Sequence, residues 1–119
     1  MKIKLKATLK NKEETHTFKG KAILNENIIT YKDGNTLTKI KIDDIITIER
    51  KDDYQIILNL KKGIKLKGNY ITKYGNIGIE TYTKDIIKKE NSLKIIYDLT
   101  ANNELIDTFT YYCEYSIDS

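Results

Sequence analysis

Apolar residues recur at every second position in one short run after another. Near the N-terminus Ile3, Leu5, Ala7 and Leu9 alternate with Lys2, Lys4, Lys6 and Lys10. A period of two is that of a β-strand with one face toward a core and one toward water. Turn-forming clusters such as Asn25-Glu26-Asn27, Lys32-Asp33-Gly34-Asn35, Lys61-Lys62-Gly63 and Ala101-Asn102-Asn103-Glu104 divide these runs at short intervals. The runs are rich in Ile, Thr and Tyr, and none follows a helical 3.6-residue period. The pattern predicts an all-β fold of about ten short strands, an antiparallel meander closed into a sandwich or barrel. Neither a linker nor a long repeat interrupts it, so residues 1–119 read as a single β-barrel domain.

Alternation also assigns the inward face. Phe18, Gly20, Ala22 and Leu24 share a side, as do Ile29 with Tyr31, Ile40 with Ile42, and Ile46 with Ile48 and Arg50. Tyr54, Ile56, Leu58 and Leu60 form the next inward set, followed by Ile64, Leu66, Gly68, Tyr70 and Thr72. Ile77, Ile79, Thr81 and Thr83 come next, then Leu93, Ile95, Tyr97 and Leu99, and last Phe109, Tyr111, Cys113, Tyr115 and Ile117. A slip of one residue inverts any such set. The Ile45–Arg50 run selects its face least cleanly, because Ile45, Ile46 and Ile48 compete.

Composition narrows the chemistry. The net charge is +4, but Arg50 is the sole arginine, whereas base-edge and phosphate recognition favour arginine forks. The abundance of Lys, Ile and Asn is also what an AT-rich genome produces. One cysteine, Cys113, rules out an intramolecular disulfide and fits a reducing, cytoplasmic setting. Neither a secretory signal nor a membrane span is expected.

From Thr36 onward the order of residues resembles a known family. Ile40-Lys41-Ile42, Ile48-Glu49-Arg50, the stretch from Gly68 to Gly75, Glu80-Thr81-Tyr82-Thr83, and the stretch from Leu93 to Leu99 are similar to the YwiB-like family. These are small uncharacterised proteins of low-GC Gram-positive bacteria. The resemblance implies a single antiparallel calycin-like, or lipocalin-like, β-barrel of roughly eight to ten strands, consistent with the pattern. It brings no activity. Lys73 stands where the family often has proline, Lys51 where glycine usually follows the arginine, and Lys32 where an acidic residue is common.

Inward polar residues supply the candidate site. Tyr31, Tyr54, Tyr70, Tyr97, Tyr111 and Tyr115 outnumber what packing a small barrel requires, and each buried hydroxyl needs a partner. They either reach water at the barrel ends or line a cavity. Arg50 projects inward near a strand end, where an unpaired buried charge is costly, so it calls for an anion. That anion is an internal carboxylate, Asp107 by phase or Glu80 with a shifted strand, or else a bound carboxylate or phosphate. The expected ligand-binding residues are Arg50, Tyr31, Tyr70, Thr72, Thr83 and Tyr97. Inward threonines also serve a plain structural role as cross-strand pairs.

No catalytic constellation is visible. His16 and Cys113 are solitary and fall on different strands, and Cys113 sits between aromatics as an inert thiol does. No metal-ligand spacing or phosphate-cradling glycine motif occurs, so neither metal nor cofactor is expected. Lys2, Lys4, Lys6, Lys39, Lys41, Lys65 and Lys67 alternate on the wet face. They discourage edge-to-edge association, or, with Tyr82 or Tyr112, track a nucleic-acid backbone weakly and without sequence preference. The sequence thus points to a non-enzymatic protein binding a small anionic or amphipathic molecule inside the barrel. The alternative is a surface-binding module for nucleic acid or a protein partner, through the lysine-rich face or a strand edge.

Overall fold

The computed structural model describes residues 1–118. It contains ten strands: β1 (Lys2–Lys10), β2 (Thr15–Asn25), β3 (Ile28–Asp33), β4 (Thr36–Lys41), β5 (Ile46–Lys51), β6 (Gln55–Leu60), β7 (Lys65–Thr72), β8 (Gly75–Lys89), β9 (Ser92–Ala101) and β10 (Glu104–Ile117). Each pairs antiparallel with the next, and β1 also pairs with β10, so the meander closes into a barrel. Closure removes the free sheet edge that an isoleucine-rich strand would otherwise present. The turns carry the chemistry their geometry demands. Asn102 and Asn103, with φ of 53° and 63°, both take the left-handed conformation of a two-residue type I′ hairpin between β9 and β10.

The two ends of the barrel differ. The base, ringed by the β2–β3, β4–β5, β6–β7 and β8–β9 turns, is filled by Ile3, Ile29, Ile40, Ile48, Leu60, Leu93 and Ile95, all essentially without solvent contact. Toward the mouth polar and aromatic side chains join the inward set, Tyr31, Thr38, Arg50, Tyr70, Tyr97 and Phe109, beside the aliphatic Leu9, Ile56, Ile79 and Leu99. Packing therefore stabilises the base, and the mouth is left for polar chemistry.

The inward sets hold through the middle of the strands and fail at their ends. Tyr54, Ile64, Ile77 and Ile117 are exposed, not inward. Tyr54 and Ile64 belong to turns, Ile77 lies two residues into β8 near the mouth, and Ile117 is the last residue of β10. In the ambiguous run, Ile46 and Ile48 are buried and Ile45 is exposed. Register shifts between Thr83 and Asp85 in β8, and between Leu105 and Asp107 in β10, change the phase of alternation. After the first, Ile86 packs against the core although it is out of step with Thr81 and Thr83.

Two seams in the ring are only partly hydrogen-bonded. β6 and β7 pair at three positions, Gln55 to Ile57, and then separate. Side chains bridge the gap: the Asn59 amide donates to the Lys67 carbonyl (2.9 Å), and the Thr81 hydroxyl donates to the Asn59 carbonyl (2.6 Å). Where the strands are still joined, Gly68 is required, because a Cβ there would lie 2.2 Å from the Ile57 carbonyl oxygen. β2 and β3 likewise pair at only three positions, near the base, and diverge toward the mouth.

Candidate functional site

The β2–β3 divergence is spanned by side chains. Phe18 of β2 stacks on Tyr31 of β3 with ring centroids 4.7 Å apart. Farther out, His16 Nε2 and Asp33 Oδ2 meet at 2.5 Å. Behind this seam lies a cavity of about 180 Å³, lined by Ala7, Leu9, His16, Phe18, Tyr31, Asp33, Thr36, Thr38, Arg50 and Tyr111. At about 30 Å³ of liquid volume per water, its size is that of about six water molecules.

Strand register builds the polar wall. Tyr31 lies opposite Thr38, and Thr38 opposite Arg50, so three adjacent strands place three inward polar side chains in one row. Tyr111 enters from β10, opposite Leu9 of β1, and its hydroxyl shares a 3.0 Å hydrogen bond with that of Tyr31. Thr38 is buried at 2% exposure, and Arg50 is half-buried. Among the described residues, no carboxylate lies within ion-pairing distance of the Arg50 guanidinium. Asp107 accepts from the Thr108 amide at 2.7 Å and forms no ion pair with Arg50. Glu80, on the outward phase of β8, forms none either.

Burial and the arginine act on the tyrosines in opposite directions. Desolvation lifts the Tyr31 hydroxyl above its ordinary pKa, against the hydrogen bond from Tyr111 and the Arg50 charge. Desolvation pushes Tyr97 up to about 12 and Tyr111 well above its usual value, with Arg50 again pulling down. All three hydroxyls therefore stay protonated at neutral pH. Within the Tyr31–Tyr111 pair one hydroxyl donates to the other, which leaves one O–H beside the Arg50 cation, suited to an anion, and none of the three is equipped to act as a tyrosinate nucleophile.

The expected ligand-binding residues do not all gather here. Arg50 and Tyr31 line the cavity, and Tyr97 lies deeper, within the field of the guanidinium. Tyr70 stacks against Tyr54 with centroids 6.1 Å apart, on β7. Thr72, the last residue of β7, braces the β7–β8 turn, donating to the Gly75 carbonyl (3.2 Å) and accepting from the Tyr74 amide (3.1 Å). Thr83 is wholly buried, and its hydroxyl has no partner among the described residues. Thr38 is not among the six expected ligand-binding residues, although it lies two positions before Ile40 and shares its phase. Tyr111 is likewise outside that expected set, and the meeting of His16 with Asp33 across the splayed seam has no sequence signal. Cys113 is buried, which raises its thiol pKa to about 11, and among the described residues no group of three or more metal-ligating side chains occurs.

Among the described residues, no helix is long and apolar enough to cross a membrane. Among curated proteins, none matches the sequence. The crystal structure of the YwiB protein from Bacillus subtilis is similar in fold, with a TM-score of 0.60 and 14% sequence identity over 98% of this chain and 91% of that one. The family model described as a domain of unknown function, DUF1934, matches residues 1–112. With that match running from β1 into β10, the chain belongs to the DUF1934 family.

Proposed function

We propose that this protein is a non-enzymatic, calycin-like binding barrel that holds a small anion, a carboxylate or phosphate group, in its mouth. The observation that carries the proposal is the Arg50 guanidinium: half-buried, facing a cavity, and without a carboxylate partner among the described residues. A desolvated charge is costly unless an anion meets it. Arg50 supplies the charge and a planar fork; the Tyr31 and Tyr111 hydroxyls share one hydrogen bond, which leaves the pair one free O–H to donate, and Thr38 lines the same wall. The cavity's volume limits the ligand to a few heavy atoms, or to the anionic end of a longer molecule that leaves through the mouth. A cytoplasmic setting completes the proposal, and the lone buried thiol suits it.

Native mass spectrometry of freshly purified protein, combined with thermal melts in phosphate and in small carboxylates, tests the reading. The expected result is a bound anion, or an anion-dependent rise in Tm, that disappears in Arg50→Leu while the barrel stays folded. No adduct and no anion-dependent shift in the wild type would overturn it.

A further inference from the structure

A second, wider concavity lies outside the barrel. It is a groove of about 900 Å³ running over the outer faces of β2, β1 and β10 to the β8–β9 turn. Register explains its charge. Lys4 of β1 stands directly opposite Lys21 of β2, and Lys6 directly opposite Lys19. Four exposed ammonium groups thus form a two-by-two grid, although like charges placed directly across a strand pair repel. Lys89 adds a fifth positive charge to the lining, against Glu90 and Glu114. Glu114, opposite Lys6 on the β10 side, accepts the Tyr112 hydroxyl at 3.1 Å. None of the four grid lysines takes part in an ion pair among the described residues.

The arrangement suits an anion that repeats. Lysine is a point charge without the planar fork that grips one phosphate, and rungs two residues apart along a strand are about 6.6–6.8 Å from one another. A chain of successive phosphates would meet successive rungs. Tyr112 of β10, opposite Thr8 of β1 and so beside the grid, supplies an aromatic ring, which an unpaired base can stack on and a paired base cannot. We infer that the groove over β2, β1 and β10 binds single-stranded nucleic acid, its phosphates on Lys4, Lys6, Lys19 and Lys21 and a base on Tyr112.

Fluorescence anisotropy with a labelled oligothymidylate and the full chain tests this. Four phosphate contacts on a single strand predict a log–log salt slope of about −2.8, so affinity falls about fifty-fold between about 50 and about 200 mM salt. Replacing all four grid lysines by glutamine should remove that slope. A variant losing the same charge elsewhere, Lys39, Lys41, Lys65 and Lys67 each to Gln, should retain it. Circular dichroism confirms that both variants fold. The inference is overturned by an absence of binding at low salt or by equal losses in the two variants. Capture by anionic phospholipid vesicles without binding of the oligonucleotide also overturns it, and would identify a membrane surface as the partner.

Discussion

Thr81 and Thr83 are neighbours on the inward face of β8, both almost completely buried, yet the same substitution should affect them in opposite directions. The Thr83 hydroxyl has no hydrogen-bond partner among the described residues, so folding strips it of water without recompense. Mutational data place that penalty at about 1–3 kcal/mol. Thr83→Val keeps the shape and removes the hydroxyl, so it should stabilise the protein by about 1–2 kcal/mol. At about 4 °C per kcal/mol for a domain of this size, Tm should rise by about 4–8 °C. Thr81 differs because its hydroxyl donates to the Asn59 carbonyl at 2.6 Å, where β7 has separated from β6 and cannot supply an amide. Thr81→Val leaves that carbonyl unpaired and should cost about 1–3 kcal/mol. Urea denaturation of both variants and the wild type, with m-values compared, separates stability from changes in the unfolded chain. If Thr83→Val loses as much stability as Thr81→Val, the Thr83 hydroxyl is hydrogen-bonded in solution and the reasoning fails.

Three further outcomes follow from the same structure. Arg50→Leu removes a half-buried charge without a protein counter-ion, so in anion-free buffer it should leave stability unchanged or raise it by about 1 kcal/mol; a loss of about 3 kcal/mol or more in urea melts would reveal a buried ion pair. Tyr97 and Cys113 have folded pKa values raised to about 12 and about 11, so between pH 9 and 12 the folded protein holds protons that the unfolded chain releases. Stability present below pH 9 should therefore fall as pH rises, each group contributing about 3 kcal/mol at most, and flat urea midpoints from pH 8 to 11 would contradict this. Gly68→Ala drives a Cβ into the Ile57 carbonyl and must push β6 and β7 apart, costing about 3 kcal/mol or more, visible as a lower Tm; an unchanged Tm would show that the seam yields freely.

The alternating pattern made the strands and most of the core legible, because a period of two follows directly from the pleat. The inward positions of Leu58, Ile95 and Tyr97 could be read with no knowledge of pairing. The strand ends could not: Tyr54, Ile64 and Ile77 continue the alternation of their strands and are nevertheless exposed, because ring closure decides where a strand stops facing the core. Bulges were also hidden, since nothing in the run from Thr83 to Ile86 marks the change of phase. Arg50 could be placed on the inward face, but its lack of an acidic neighbour depends on where Asp107 and Glu80 fall around the ring. Thr38 was available to the same phase argument as Arg50. The His16–Asp33 contact joins residues whose strands do not pair at that height, which no periodicity encodes.

Closure of the ring through β1 bears on how the protein forms and opens. Ile3 faces Ile117 across the β1–β10 ladder, so the last seam joins segments from opposite ends of the meander. Such distant pairing pays its loop entropy before it gains contacts, and barrels dominated by it fold in milliseconds to seconds. Until β10 arrives, the growing sheet has two bare isoleucine-bearing borders, and this is the interval in which aggregation competes with folding. Once the seam is made, no terminal strand remains from which the sheet can unzip. Opening at the β1–β10 seam then requires rupture of a long ladder, whereas the three-pair β2–β3 seam yields at far lower cost.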